Sequence, residues 1–158
     1  MKKKIAIIGS TGSIGKTLID IIVKNKNKFE IKLLTANKDY KTLFRQAKIF
    51  NVKNLIITDP KSFKVSIKKN KNKTIKIFNH FNSIDVIFKK KIDYTMSSIT
   101  GINGLLPTIK MIKFTKKIAI ANKESIICGW NLIRKELKKN NTNFIPVDSE
   151  HFSLWFGL

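Results

Sequence analysis

At 158 residues, 42% of them hydrophobic, the chain can bury the core of one domain, and no run approaches the roughly 18 apolar residues that span a bilayer. Its formal charge of +22 is nearly all lysine, with arginine, the better reader of bases and phosphates, only at Arg45 and Arg134. Without aromatic interleaving or zinc-ligating cysteines, that charge implies weak, salt-sensitive adhesion to polyanions and no specific nucleic-acid site. The single cysteine, Cys128, excludes an internal disulfide and fits a reducing compartment, with the cytoplasm as the default expectation. The apolar run behind Met1-Lys-Lys-Lys is too short for a signal peptide, and no membrane segment is expected.

In chain order, a buried strand is predicted over 5–8, followed by Gly9, Gly12 and Gly15 and then a helix with Ile14, Leu18, Ile21 and Ile22 on its apolar face. A strand over 31–35 precedes a helix over 40–50 with Leu43, Ala47 and Phe50 on one side. The strand over 55–58 is closed by Asp59-Pro60, and the charged segment 62–73 reads as a helix running into a surface loop. A strand over 74–78, a short helix over 83–88 and a strand over 92–96 follow. The small-residue loop 97–104 leads into a helix over 105–112, which tolerates Pro107 in its first turn. Next come a strand over 118–121, a strong helix over 124–139 and a strand over 144–147 that runs into Asp148-Ser-Glu-His-Phe152. Strands alternating with helices predict an α/β, Rossmann-like doubly wound fold with a mostly parallel sheet. The apolar end, Phe152 to Leu158, suggests a chain stopped at the start of a second domain: residues 1–142 are expected to form a coenzyme-binding domain, and 143–158 the first strand and metal-motif stub of the next.

Strand, glycine turn, helix is the opening of a dinucleotide-binding unit. Gly9 allows the sharp exit from the strand, Gly12 lets the backbone approach a pyrophosphate, and Gly15 lets the helix pack close, its free N–H groups facing the anion. The second strand is followed by Asn37 and Lys38 rather than by an acid, although Asp39 comes next; a lysine there would neutralise a 2′-phosphate and favour NADPH. In extended chain Asp148 and Glu150 point to one side and could share a hard cation such as Mg²⁺ or Mn²⁺. Lys123, at a strand-to-helix turn, could neutralise developing oxyanion charge.

Ser98-Ile-Thr-Gly-Ile-Asn-Gly-Leu-Leu-Pro-Thr108, Ile120-Ala-Asn-Lys-Glu-Ser125 and Ile145-Pro-Val-Asp-Ser-Glu-His151 join Gly9-Ser-Thr-Gly-Ser-Ile-Gly15 in an order and spacing that closely resemble the 1-deoxy-D-xylulose 5-phosphate reductoisomerase family. The resemblance implies NADPH-dependent isomerisation and reduction of a phosphosugar to 2-C-methyl-D-erythritol 4-phosphate in non-mevalonate isoprenoid biosynthesis, by a metal-dependent homodimer. It implies that Thr11, Gly12, Ser13 and Ile14 contact NADPH, and that Ala36, Asn37 and Lys38 surround its 2′-phosphate, with Asn37 standing where the family commonly has glycine. Asn122 and Glu124 would lie beside the coenzyme, Lys123 would be catalytic and touch substrate, and Ser149 and Glu150 would also touch it. Asp148 and Glu150 would hold the metal. Relatives are more than twice as long, so the 158 residues alone are expected to be a truncated piece without turnover.

Plainer roles stand beside these. Asn122 is also a good helix N-cap with Glu124 favourable to the dipole, and Asp148 could cap a helix. His151 reads as structural, His80 as a surface residue, Cys128 as core on an apolar helix face with Ile127, and Trp130 and Trp155 as packing residues. Two rival functions remain: an NADP-binding domain of another dehydrogenase, which would need a reactive cysteine, or a non-enzymatic polyanion-binding remnant.

Overall fold

The computed structural model describes residues 1–147. Seven strands alternate with helices: β1 Lys3–Ile8, α1 Ser13–Val23, β2 Phe29–Ala36, α2 Tyr40–Phe50, β3 Asn54–Ile57, α3 Pro60–Lys69, β4 Lys76–Phe78, α4 Ile84–Ile87, β5 Ile92–Ser97, α5 Leu105–Ile112, β6 Thr115–Ile120, α6 Lys123–Lys139 and β7 Asn143–Pro146. Short 3-10 turns at Phe81–Ser83 and Ile102–Gly104 lead into α4 and α5. The strands form one sheet in the order β4-β3-β2-β1-β5-β6-β7, and every pairing is parallel. This is the expected doubly wound α/β architecture. β7, the strand at which the sequence divides its two expected domains, pairs with β6 in the same sheet.

Parallel strands are buried on both faces, which is why they read as continuous apolar runs. Ile5, Ile7, Leu34, Leu55 and Ile57 pack under α1 and α2 with Ile19, Ile22, Leu43 and Ala47. Ala6, Ile8, Leu33, Ile56 and Ile118 face Ile84, Met111, Ile112, Ile133 and Leu137 of α4, α5 and α6. Helix starts follow local capping chemistry. The Asp39 carboxylate accepts from the Thr42 N–H and that of Asp59 from the Ser62 N–H, while Asn122 Oδ1 accepts from the Ser125 N–H.

Three readings change. The buried stripe of α1 is Gly15, Ile19 and Ile22, with Leu18 partly buried beside it; of the expected face Leu18 and Ile22 pack inward, whereas Ile14 and Ile21 are exposed, because Gly15 is the residue that presses on the preceding turn. β6 begins at Thr115, since pairing with β5 starts at Ile92 opposite Thr115, whereas the exposed Lys116 and Lys117 hid its first half in the apolar pattern. Cys128 and Ile127 are exposed rather than core, because the helical repeat buries Ile126, Gly129, Ile133 and Leu137 on the opposite side of α6. Trp130 is partly exposed but does pack, its ring centroid 5.5 Å from that of Phe144. His80 is exposed, as expected. Trp155 and His151 lie outside the described residues.

Candidate functional site

The strand order reverses between β1 and β5, and an open α/β sheet presents its binding crevice at the carboxyl ends flanking such a point. Gly9 leaves β1 with φ 85°, and a Cβ there would lie 2.9 Å from the Ser98 carbonyl group beyond β5. Gly15 is required for a different reason: its Cβ would stand 2.3 Å from the Gly9 carbonyl oxygen. The glycine turn is therefore wedged between the β5 loop and α1. Gly12 donates to the Gly9 carbonyl at 3.2 Å, and Lys16 donates to the Gly12 carbonyl at 2.9 Å as the first helical bond. The amides of Thr11, Ser13, Ile14 and Gly15 have no backbone or side-chain acceptor among the described residues, and they cluster at the positive end of α1.

The turn is held from two sides. The Gly9 N–H donates to Thr35 Oγ1 at 2.8 Å and the Ser10 N–H to the Thr35 carbonyl at 2.9 Å. Gln46 of α2 donates through Nε2 to the Ser10 carbonyl and accepts the Ser10 hydroxyl at Oε1, both at 2.8 Å. On the opposite side the Ser98 hydroxyl donates to the Ile8 carbonyl at 2.9 Å. Between these supports opens a cleft of about 580 Å³, lined by Gly9, Thr11 and Gly12, by Thr35, Ala36 and Asn37, by Thr58 and Phe81, and by Ser98, Ile99, Thr100 and Asn103. A larger hollow of about 770 Å³ sits at the opposite ends of β1 and β5, among Lys2, Lys3, Lys4 and Tyr94, far from the turn.

At the β2 rim, Asn37 Nδ2 donates to Thr58 Oγ1 at 2.8 Å. Asn37 and Lys38 are both exposed. The N–H of Thr42 holds the Asp39 carboxyl below the usual aspartate range, and the N–H of Ser62 does the same for Asp59, whose charge also feels Lys38. Asp39, the acid nearest the end of β2, is thus committed to capping α2.

At the far rim, Asn122 is 3% exposed and its carboxamide is saturated: Nδ2 donates to the carbonyls of Ile99 and Gly101 while Oδ1 caps α6. The capping reading of Asn122 is therefore observed, and the same side chain ties the cleft loop to α6. Lys123 begins that helix and is exposed; Glu124 follows, half-buried.

Of the sequence candidates, Thr11, Gly12, Ala36 and Asn37 line the cleft. Ser13 and Ile14 sit exposed on the first turn of α1, Lys38 lies one residue past the lining, and Lys123 and Glu124 stand at the start of α6. Asp148, Ser149 and Glu150 lie outside the described residues. Among the described residues no three His, Cys, Asp or Glu side chains gather as a metal cluster. Sequence reasoning missed Thr35, Thr58 and Ser98, which complete the walls. The signal for Ser98 was present in the small-residue loop after β5, but its meaning depends on which strands are neighbours.

A family model described as 1-deoxy-D-xylulose 5-phosphate reductoisomerase matches residues 5–129. A curated relative of that name from Pelagibacter ubique (strain HTCC1062) is 61% identical over 155 residues, covering 97% of this chain and 40% of the relative. The solved reductoisomerase of Zymomonas mobilis in complex with NADPH superposes with a TM-score of 0.87 at 30% identity, over 96% of this chain and 40% of that one. A second solved structure, of DOX-P reductoisomerase with NADPH, fosmidomycin and magnesium, gives 0.85 at 28% identity, over 94% and 37%. The chain spans about 40% of the length of the curated relatives it matches.

Proposed function

Because the chain belongs to the 1-deoxy-D-xylulose 5-phosphate reductoisomerase family, we propose that it is the NADPH-binding part of an enzyme that isomerises and reduces 1-deoxy-D-xylulose 5-phosphate to 2-C-methyl-D-erythritol 4-phosphate. One observation carries this reading: a cleft at the β1/β5 switch point into which a glycine turn and a helix N-terminus bring free backbone amides. The residues present fit a dinucleotide. Gly9 and Gly15 admit no Cβ, and four amides converge with no protein acceptor among the described residues.

In this reading the amides at Thr11, Ser13 and Ile14 donate to the diphosphate, and Gly12 keeps the backbone bare enough for approach. Ala36 and Asn37 form the wall by the adenosine ribose, and Lys38 supplies the positive charge that selects a 2′-phosphate. Asp39, already engaged with Thr42, leaves no acid to favour the free ribose hydroxyl. Asn122 holds the loop over the other half of the cleft, with Glu124 beside the coenzyme. Lys123 presents an exposed ammonium at the start of α6, where it can bind a phosphosugar and offset charge on its oxygens. NADPH supplies the hydride when bound. Asp148 and Glu150 are proposed to hold Mg²⁺ or Mn²⁺, a pair of hard carboxylate donors suited to such cations, with Ser149 and Glu150 touching substrate. Residues 1–142 form the coenzyme-binding unit in this scheme, 143–158 lead into the catalytic part, and the enzyme is proposed to work as a cytoplasmic homodimer.

Titration of the purified chain tests the reading. At a coenzyme concentration about a hundredfold above Kd, binding adds about 2.7 kcal/mol of stability, enough to raise Tm by roughly 5–10 °C. NADPH is expected to do this at lower concentration than NADH. A melting curve unmoved by NADPH, or a shift abolished by moderate salt as for generic polyanion attraction, refutes it.

A further inference from the structure

Gln46 lies outside every string that carries the family resemblance, yet the residue is only 4% exposed and its carboxamide is engaged at both ends with one residue of the glycine turn. A buried helix position is ordinarily filled by an apolar side chain, and a carboxamide is tolerated there only where its donor and its acceptor are both matched. Here the match has a directional consequence. Nε2 draws the Ser10 carbonyl towards α2, while the N–H of Ser10 is held by the Thr35 carbonyl. A trans peptide is planar, and its C=O and N–H point opposite ways. Turning the Ser10 carbonyl towards α2 therefore sends the Thr11 N–H away from it, on the side of the cleft that Thr11 lines and where that amide has no acceptor among the described residues.

We infer that Gln46 is the positioning residue of the diphosphate-binding turn, setting through Ser10 the peptide plane that presents the Thr11 amide to the coenzyme. The inference rests on the NADPH reading of the cleft. Gln46 touches no coenzyme itself; it removes the need to order the turn on binding. Because α2 begins two residues after Lys38, the same helix fixes both the diphosphate end and the 2′-phosphate end of the cleft.

The test uses the whole 158-residue chain, with NADPH affinity by titration, thermal melting, and the Thr11 amide resonance in ¹⁵N spectra. Gln46→Leu frees the Ser10 carbonyl and is expected to weaken NADPH binding on the order of tenfold and to broaden the Thr11 resonance. Ala47→Gly, buried on the same helix but remote from Ser10 in hydrogen bonding, lowers Tm while leaving affinity and that resonance as in the parent chain. Gln46→Met, closer in shape to the native side chain and likewise unable to hold the Ser10 carbonyl, serves if Gln46→Leu does not fold, with the same expected loss of about tenfold and parent-like affinity again overturning the inference. Parent-like NADPH affinity in folded Gln46→Leu, or equal losses in Gln46→Leu and Ala47→Gly, overturns the inference while leaving the coenzyme reading intact. A parent chain that does not bind NADPH overturns both.

Discussion

Replacing Gly15 with alanine adds one methyl group where the structure has no room for it. The new carbon would lie 2.3 Å from the Gly9 carbonyl oxygen and 2.6 Å from Ser10 Cα, both backbone atoms that no rotamer change can move. Ordinary van der Waals contact begins at 3.4 Å, so α1 and the turn must separate by about 1 Å. Overpacking of this kind costs about 1–3 kcal/mol, a large share of the roughly 5–15 kcal/mol that holds a domain together. For a chain of this size that is a fall in Tm of roughly 3–10 °C. A displacement of about 1 Å also takes the free amides off any diphosphate, so NADPH affinity should fall by about a hundredfold. Gly12→Ala separates the two effects. Its Cβ would meet the Gly9 carbonyl at 3.5 Å, an ordinary contact, while Gly12 itself lines the cleft. Melting should be near parental and NADPH binding lost. Differential scanning calorimetry and NADPH titration of the two variants form the assay. A Gly15→Ala chain that melts and binds like the parent would mean that the turn and α1 are not packed as described.

Asn122→Ser keeps a capping oxygen for the Ser125 N–H but loses both donors to Ile99 and Gly101, whereas Asn122→Ala loses all three bonds; NADPH affinity should fall in both, and urea titration should show Ala costing about 1 kcal/mol more through the missing cap. Equal stability of the two variants contradicts this division. Lys38→Ala should reduce the preference for NADPH over NADH by about tenfold with little change in Tm, and an unchanged coenzyme ratio removes Lys38 from the 2′-phosphate site. The folded chain holds Asp39, Asp59 and Asp93 below the usual aspartate value through hydrogen bonds from Thr42, Ser62 and Lys116. A depressed folded pKa stabilises above the unfolded value, near about pH 4, and that stability is lost as pH falls through the folded value. Tm should accordingly decline below about pH 4, less steeply in Asp39→Asn, which keeps an acceptor and cannot titrate; an acid-insensitive parent melt refutes the assignment.

Much of the molecule is local and therefore legible in the chain. The apolar runs of β1 and β3, the helix at Tyr40–Phe50, the glycine turn and the cap at Asn122 depend on residues within a few positions of each other, and periodicity and capping chemistry report such neighbours directly. Helix facing was less legible: Ile14, Ile21, Ile127 and Cys128 are apolar yet lie outward, since composition says which residues could be buried and only packing against the sheet selects the side. The walls of the cleft were legible only in part: Thr11, Gly12, Ala36 and Asn37 could be named from the chain, whereas Thr35, Thr58 and Ser98 could not. Ser98 meets Gly9 across 89 residues and Gln46 meets Ser10 across 36, because β5 is neighbour to β1 and α2 lies over β2. The alternation of strands and helices is compatible with many strand orders, and the order adopted is decided by burial of both sheet faces at once. The chain alone therefore determined the elements and the glycine turn, whereas the tertiary structure decided which distant side chains hold that turn in shape.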